Sequence, residues 1–507
     1  KLSGAAQIYS AAGFQLWPAA NALYRKETHD NYPGARAIMK SIYEGLLLPM
    51  DQALAVESRY FAAVLQTEEA SNMVRTLFVS MQALNKGARR PQGAPSLKLK
   101  TVGVVGAGFM GAGIAFVSAK AGLDVVLLDQ SAEAADKGKS HSDALMQKAV
   151  KRGYASEADR EALLARITPT TDYAALAACD LVVEAVFEDR KVKADVIAAI
   201  GAELPAHVTL ASNTSTLPIT SLASHHSDAE NFIGIHFFSP VDKMMLVEII
   251  MGEKTGDQAL ANAMDFVRAI GKTPIVVNDA RGFYANRSVM AYLLEAHLLL
   301  TEGIPAAMIE NLALQAGMPV GPLALTDEIA VDLAWKIVQA TKADLGEAAI
   351  HPAQEKLLHV MVVEQQRLGR KNGKGFYDYE GRNKRLWPGL AELVPQISDP
   401  DLIDQIDRQD IRNRLLVIQA LEAARCFEEG VVTDVREADV GSILGFGFAP
   451  FTGGTLSYID TMGAAAFVDL CDRLAEQHGS RFAPNTLLRD LAASDETFYG
   501  RFADAPA

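Results

Sequence analysis

Cysteine is scarce in this chain. Three occur in 507 residues, Cys179, Cys426 and Cys471, far apart and in no CxxC pair, which excludes a disulfide framework and a thiolate metal site and suits a reducing compartment. No metal is expected. Long apolar runs are missing too: each breaks at a charge or a glycine before the roughly 18 residues a membrane span requires, so no transmembrane segment is expected. Residues 1–30 lack the basic-then-apolar pattern of a signal peptide, and Lys1 stands where an initiator Met would. Export is not expected, and a cytoplasmic protein is. Positive charge is in deficit as well, 48 Lys and Arg against 62 acids, net −14. That sign argues against a nucleic-acid surface, though not against a local basic pocket for a small anion.

What is present is apolar and patterned. With 49% hydrophobic and 22% charged residues, the chain can bury a large core and should divide into three or four domains. Residues 1–95 read as helical, with apolar residues at three-and-four spacing and Thr67-Glu68 as a helix start, closing in the Gly/Pro-rich, basic linker "NKGARRPQGAPSLKLK". Residues 96–282 alternate short apolar runs (101–105, 125–129, 181–185, 208–211, 231–238, 244–250 and 274–277) with helical stretches. This is the signature of an α/β domain with a mainly parallel sheet. From 283 the strand signal vanishes and a repeat emerges. Asn286-Arg287, Glu295-Ala296 and Glu302-Gly303 recur as Asn413-Arg414, Glu422-Ala423 and Glu429-Gly430, each displaced by 127 positions, and Gly321-Pro322 and Asp327 have looser echoes around Asp460. A duplicated all-helical domain, 283–400 and 401–507, is the simplest account.

The first chemical motif is "TVGVVGAGFMGAGIAF". Gly106, Gly108 and Gly111 form GxGxxG between a strand and a helix: one glycine for the turn, one for close approach to a pyrophosphate, one for helix–strand packing. Together with Met110 they are expected to line a dinucleotide. The second strand, "DVVLLD", ends in Asp129, where a carboxylate can accept both ribose hydroxyls and would repel a 2′-phosphate; NAD is therefore expected over NADP. Nicotinamide chemistry moves a hydride, and the substrate hydroxyl must then lose a proton to a base, for which histidine is suited. His236 lies in "NFIGIHFF", and "MMLVEII" can return antiparallel after "SPVDK", setting Glu248 beside the imidazole to hold one tautomer. A core histidine satisfied by an unrelated acid is the plainer alternative.

In order and spacing, "GAGFMGAGIA", "VVEAVFEDRKVK", "LASNTSTLPIT", "GIHFFSPVDKMMLVEII", "GKTPIVVNDARGFYANR" and "MPVGPLALTDEIAVD" resemble the L-3-hydroxyacyl-CoA dehydrogenases, in the form found in the multifunctional α-subunits and bifunctional enzymes of fatty-acid β-oxidation. The resemblance implies a Rossmann-type NAD-binding domain followed by a duplicated helical domain like the C-terminal domain of 6-phosphogluconate dehydrogenase. It implies NAD as cofactor and an acyl-CoA substrate lying between the nucleotide domain and the first helical domain. His236 would be the base and Glu248 its orienting partner. Asn286 would bond the substrate oxygen or the histidine, and Ser215 would contact the same region. Asn213, Glu188 and Lys193 would lie near the nicotinamide and its ribose. Residues 1–95 resemble the end of a hydratase domain and its linker helix, so the parent would also hydrate enoyl-CoA while this chain would not. A thiolase subunit, a homo-oligomer and, in a eukaryote, a peroxisomal location are further implications. Ser239, Arg281 and Ala330 replace the Asn, Pro and Gly usual in relatives. Two rivals stay open: a related β-hydroxyacid dehydrogenase with a lysine base, and a non-catalytic scaffold that binds NAD or acyl-CoA.

Overall fold

A computed structural model describes residues 10–503. Two compact units divide the chain. The first takes 10–75, 288–424 and 447–498; the second takes 76–287, 425–446 and 499–503.

The second unit holds an eight-stranded sheet: β1 (Thr101–Val105), β2 (Asp124–Leu128), β3 (Ile167–Thr170), β4 (Leu181–Glu184), β5 (Thr209–Ser212), β6 (Phe232–Phe237), β7 (Leu246–Met251) and β8 (Thr273–Asn278). The strand order is 3-2-1-4-5-6-7-8, with every neighbouring pair parallel except β6 and β7. The first six follow the Rossmann order, and their continuous apolar runs are what a sheet covered on both faces requires. Of this sheet's strands, sequence periodicity overlooks β3, "ITPT". Of its residues only Ile167 is buried, and Pro169 suits an edge strand that pairs on one side. The opposite edge is not open. Val432 bridges Val277, Asn278 N donates to Val431 O at 2.8 Å, and Val276 N donates to the buried Glu437 carboxylate at 2.8 Å. Residues 425–446, expected within the second helical repeat, thus pack as part of the sheet's own unit.

The first unit is helical, with one addition: a two-stranded hairpin, β9 (Tyr377–Glu380) and β10 (Asn383–Leu386), turning at Gly381 with φ +62°. Buried Glu295 accepts from Arg414 and Arg481 at 2.6 Å each, and Arg414 also donates to Glu302. In the other unit Arg287 pairs with Glu429. The repeated Arg and Glu therefore pair crosswise, the arginine of each copy with the glutamate of the other, a physical reason for both copies to keep the pair at a constant displacement. The later glycines repeat with a displacement of 133: Gly321 and Gly454 precede equivalent helices, and Gly346 and Gly479 follow equivalent ones. At the helix junction the second copy has Gly463 at φ +86°, and the first has Ala330 at φ +85°. An L side chain there costs roughly 1–3 kcal/mol, part of which a glycine returns in the unfolded chain. Ala330→Gly is accordingly expected to stabilise the protein by about 1 kcal/mol, read as a higher urea midpoint; an unchanged or lower midpoint means the alanine is unstrained.

His297 is buried in the same unit, stacked on Phe376 and bonded to Thr326 Oγ1 at 3.1 Å. Burial pushes its pKa down to about 4 from 6.5. The unfolded chain takes up that proton near 6.5 and the folded one only near 4, so the stability carried by the neutral ring is complete above pH 6.5 and is lost as pH falls through 4. The loss amounts to about 3 kcal/mol. Urea unfolding of His297→Gln is expected to show a shallower decline between pH 7 and 4; an identical slope would remove His297 as its source.

In residues 10–85 the helices Ala11–Thr28, Pro33–Gly45 and Met50–Leu65 leave large apolar side chains in water: Phe14, Ile38, Met50 and Phe61 are each more than 60% exposed. Thr67 caps the next helix as expected, its hydroxyl accepting from Ala70 N. Among the described residues no helix is long and apolar enough to cross a membrane.

Candidate active site

β1 runs into a glycine turn whose three glycines do different work. Gly106 has φ +98°, and a Cβ on it would stand 2.6 Å from Ala185 O. A Cβ on Gly111 would stand 1.7 Å from Gly106 O. These two exist for packing. At Gly108 a Cβ would meet nothing within 4 Å: the space before the N-terminus of helix Phe109–Lys120 is open, where amide N–H groups point outward and favour an anion. Met110 packs against the sheet's core. Asp129, just past β2, accepts from Ala107 N at 2.6 Å and Gln130 N at 2.7 Å, which holds its carboxylate against the turn. Phe109, at the start of the helix after β1, and Phe187 and Met245, on the loops that follow β4 and β6, are 60%, 74% and 46% exposed. A free pyrophosphate cradle, an acid at the second strand and an apolar rim fit a dinucleotide at the end of the sheet where doubly wound folds bind them.

Beyond it, β6 and β7 pair antiparallel with His236 directly opposite Glu248. Nδ1 of His236 lies 2.8 Å from Oε2 of Glu248, and both side chains are buried. The other carboxylate oxygen accepts from Ala285 N at 2.9 Å and Tyr284 N at 3.3 Å. Those amides open helix Ala285–Thr301 and reach the carboxylate because Gly282 and Phe283 both adopt positive φ, +74° and +51°. A non-glycine residue held there marks strain paid at a site. A carboxylate so fixed makes Nδ1 the donor and leaves Nε2 as the basic nitrogen. Phe238 and Phe283 flank the ring at 4.5 and 6.1 Å between centroids.

The remaining expected residues form one connected cluster. Asn213 Oδ1 accepts from Phe237 N at 2.8 Å, tying the end of β5 to the residue after the histidine. Glu188 Oε1 gathers the following loop, accepting from Thr214 Oγ1 at 2.7 Å, Ser215 N at 2.9 Å and Thr216 N at 3.0 Å. Burial works to raise the Glu188 carboxyl, but Lys193 and these donors outweigh it and hold it below the ordinary glutamate range. Lys193 is itself buried, its ammonium 2.8 Å from Glu184 and 3.3 Å from Glu188. Asn286 Nδ2 donates to Ser215 O at 2.7 Å, so the asparagine is set by the serine loop.

Sequence reasoning missed three members of this arrangement. Glu184, fully buried at the end of β4, reads as one more residue in an apolar strand. Phe283 carries no sign of its backbone strain beyond the glycine before it. Lys272 is buried and donates to Val241 O at 2.6 Å and Met244 O at 2.5 Å, latching the loop between His236 and Glu248; burial lowers its pKa to about 8. Val241 on that loop sits where a Cβ on Gly113 would be, 2.8 Å away, so the glycine helix and the histidine hairpin are packed together.

Residues 101–280 match the NAD-binding domain of 3-hydroxyacyl-CoA dehydrogenase and residues 282–379 its C-terminal domain. The (S)-3-hydroxybutyryl-CoA dehydrogenase of Ralstonia eutropha is 38% identical, with 56% of this chain covering 100% of that one at a TM-score of 0.53. The chain belongs to the 3-hydroxyacyl-CoA dehydrogenase family. NAD is the cofactor of that family's N-terminal domain, and the present chain carries both dehydrogenase domains. The 3-hydroxybutyryl-CoA dehydrogenase of Escherichia coli K12 shares more of the fold, a TM-score of 0.67 over 79% of this chain and 99% of that one, at 26% identity. The fatty acid oxidation complex subunit alpha of Shewanella amazonensis is 39% identical over 476 residues, 94% of this chain. The family member described here spans 66% of that relative's length.

Proposed function

We propose that this site converts an L-3-hydroxyacyl-CoA reversibly to the 3-ketoacyl-CoA. The observation that carries the reading is the His236–Glu248 pair at 2.8 Å, fixed by two backbone amides and packed against the loop that rests on the dinucleotide helix. NAD⁺, when bound, supplies the acceptor for the hydride leaving C3. His236 Nε2 removes the proton of the 3-hydroxyl, and Glu248, bonded to Nδ1–H, offsets the charge that arrives on the ring. Asn286 and Ser215 orient the substrate oxygen, and Asn213, Glu188 and Lys193 border the nicotinamide end. The turn at Gly106, Gly108, Met110 and Gly111 receives the pyrophosphate and Asp129 the adenosine ribose.

The parent polypeptide, on this reading, is a fatty-acid oxidation subunit that also carries a hydratase domain, and the number of large apolar side chains exposed in residues 10–65 supports cover by a further folded body. The relatives' name, a complex subunit, supports a partner, of which a thiolase is the one the resemblance favours. The three cysteines are buried and lie far apart along the chain, which supports a reducing, cytoplasm-like compartment.

The test follows NADH absorbance with acetoacetyl-CoA and longer 3-ketoacyl-CoAs, with crotonyl-CoA supplied separately. Rapid NADH loss with the 3-ketoacyl-CoAs is expected, and no hydration of crotonyl-CoA by this chain. Retained NADH binding without turnover on any chain length would overturn the reading.

A further inference from the structure

We propose that Glu184 is a positioning residue of the dehydrogenase site, setting the place of Lys193 and, through Glu188, the conformation of the Thr214–Thr216 loop that holds Asn286. The inference rests on the function proposed above and extends it to a residue that touches neither substrate nor cofactor in that reading.

Lys193 is about 1% exposed, and a buried ammonium requires a counter-charge. Two carboxylates meet it. Glu184 is wholly buried; its Oε1 accepts from Lys193 Nζ at 2.8 Å and Val186 N at 2.7 Å, and its Oε2 accepts from Ser212 Oγ at 2.6 Å. Glu188 is about a third exposed and approaches Lys193 through Oε2, at 3.3 Å. Its Oε1 is thereby left to the loop donors. This division of labour depends on Glu184 taking the larger part of the lysine's charge. Without it the ammonium draws Glu188 inward, and Thr214 Oγ1, Ser215 N and Thr216 N lose their common acceptor. Ser215 O then no longer presents a fixed partner to Asn286 Nδ2, 2.7 Å away. Ser212 ties the same carboxylate to the start of the loop, since its hydroxyl also receives Thr214 N at 3.3 Å. The chain of contacts thus runs from the end of β4 to Asn286 without a gap.

The test compares Glu184→Gln, Glu184→Asp, Ser212→Ala, Glu188→Gln and the Glu184→Gln/Glu188→Gln double variant in kcat, KM for acetoacetyl-CoA, NADH affinity by fluorescence titration, and urea midpoint. Glu184→Gln is expected to lower kcat about 10- to 100-fold, the range for one lost charge-assisted hydrogen bond, with a smaller change in KM. Glu184→Asp should recover part of that loss. The double variant should be little worse than Glu188→Gln alone, because both single changes act on one loop. Ser212→Ala, which leaves Glu184 its bonds to Lys193 Nζ and Val186 N, should give a milder kcat loss and a smaller fall in urea midpoint than Glu184→Gln, and it keeps the test decisive if Glu184→Gln folds poorly. Losses that multiply in the double variant, or a Ser212→Ala protein with wild-type kcat and NADH affinity, would overturn the proposal. NADH affinity is read without turnover, so a wild type that binds NADH and reduces no 3-ketoacyl-CoA fails the function reading, while the loop's response to Glu184 and Ser212 is still scored by titration.

Discussion

His236→Gln is expected to lower kcat for NADH oxidation by acetoacetyl-CoA about 100- to 10,000-fold, the span for losing a general acid–base group, with KM and NADH affinity within a few-fold of wild type. The substitution is conservative in space. Glutamine reaches Glu248 Oε2 across the β6–β7 pair, so the buried carboxylate keeps a partner and its bonds to Ala285 N and Tyr284 N. What disappears is the basic nitrogen. Glu248→Gln should be nearly as damaging for a different reason: an amide that keeps its oxygen on the two backbone donors turns its NH₂ toward Nδ1, which must then accept, and the ring proton moves to Nε2 where the base is needed. A loss in His236→Gln with none in Glu248→Gln would separate proton transfer from ring orientation and remove the carboxylate from the mechanism. Equal inactivity of wild type and His236→Gln, with NADH still bound, would return the scaffold reading.

The glycine turn offers the second large effect, as a contrast between neighbours. Gly111→Ala places a methyl 1.7 Å from Gly106 O, backbone against backbone, and no side chain can swing away to relieve it. The helix or the turn must shift, at about 3 kcal/mol or more, so the urea midpoint should fall and NADH affinity should collapse with it. Gly108→Ala meets nothing within 4 Å, and its φ of −64° suits any residue. Its midpoint should stay within about 0.5 kcal/mol of wild type, yet NADH should bind at least about tenfold more weakly, because the methyl occupies the approach of the pyrophosphate. A Gly108→Ala protein with undiminished NADH affinity would show that the open space before the helix is not where the dinucleotide lies.

Much of this site is legible along the chain because its signals are short-range. The glycine spacing, the acid ending β2 and the period of the buried strands are each contained in a few residues, and full burial of β6 and β7 leaves little freedom in their register. That is why His236 and Glu248, twelve positions apart, can be paired from the residue pattern alone. Ala330 stands out through the resemblance instead, as an alanine where relatives carry glycine, and its positive φ is seen only in the structure.

The sequence by itself determined a mainly parallel sheet opening on a glycine-rich dinucleotide turn, the histidine–glutamate hairpin and the repeat in the helical region; the place of β3 in the sheet came only with the structure. Tertiary structure alone decided who neutralises whom. Lys193 lies close in sequence to Glu188 and Asp189, yet its nearest carboxylate is Glu184 on the strand before it. Asn286 takes its place from Ser215, 71 residues earlier, and the repeated Arg and Glu pair across copies, Arg414 with Glu302 and Arg287 with Glu429. The reason is physical. Local periodicity states which residues leave water, but a charge that leaves water must find an opposite charge or a fan of donors wherever the chain returns, and that choice is made only when distant segments meet.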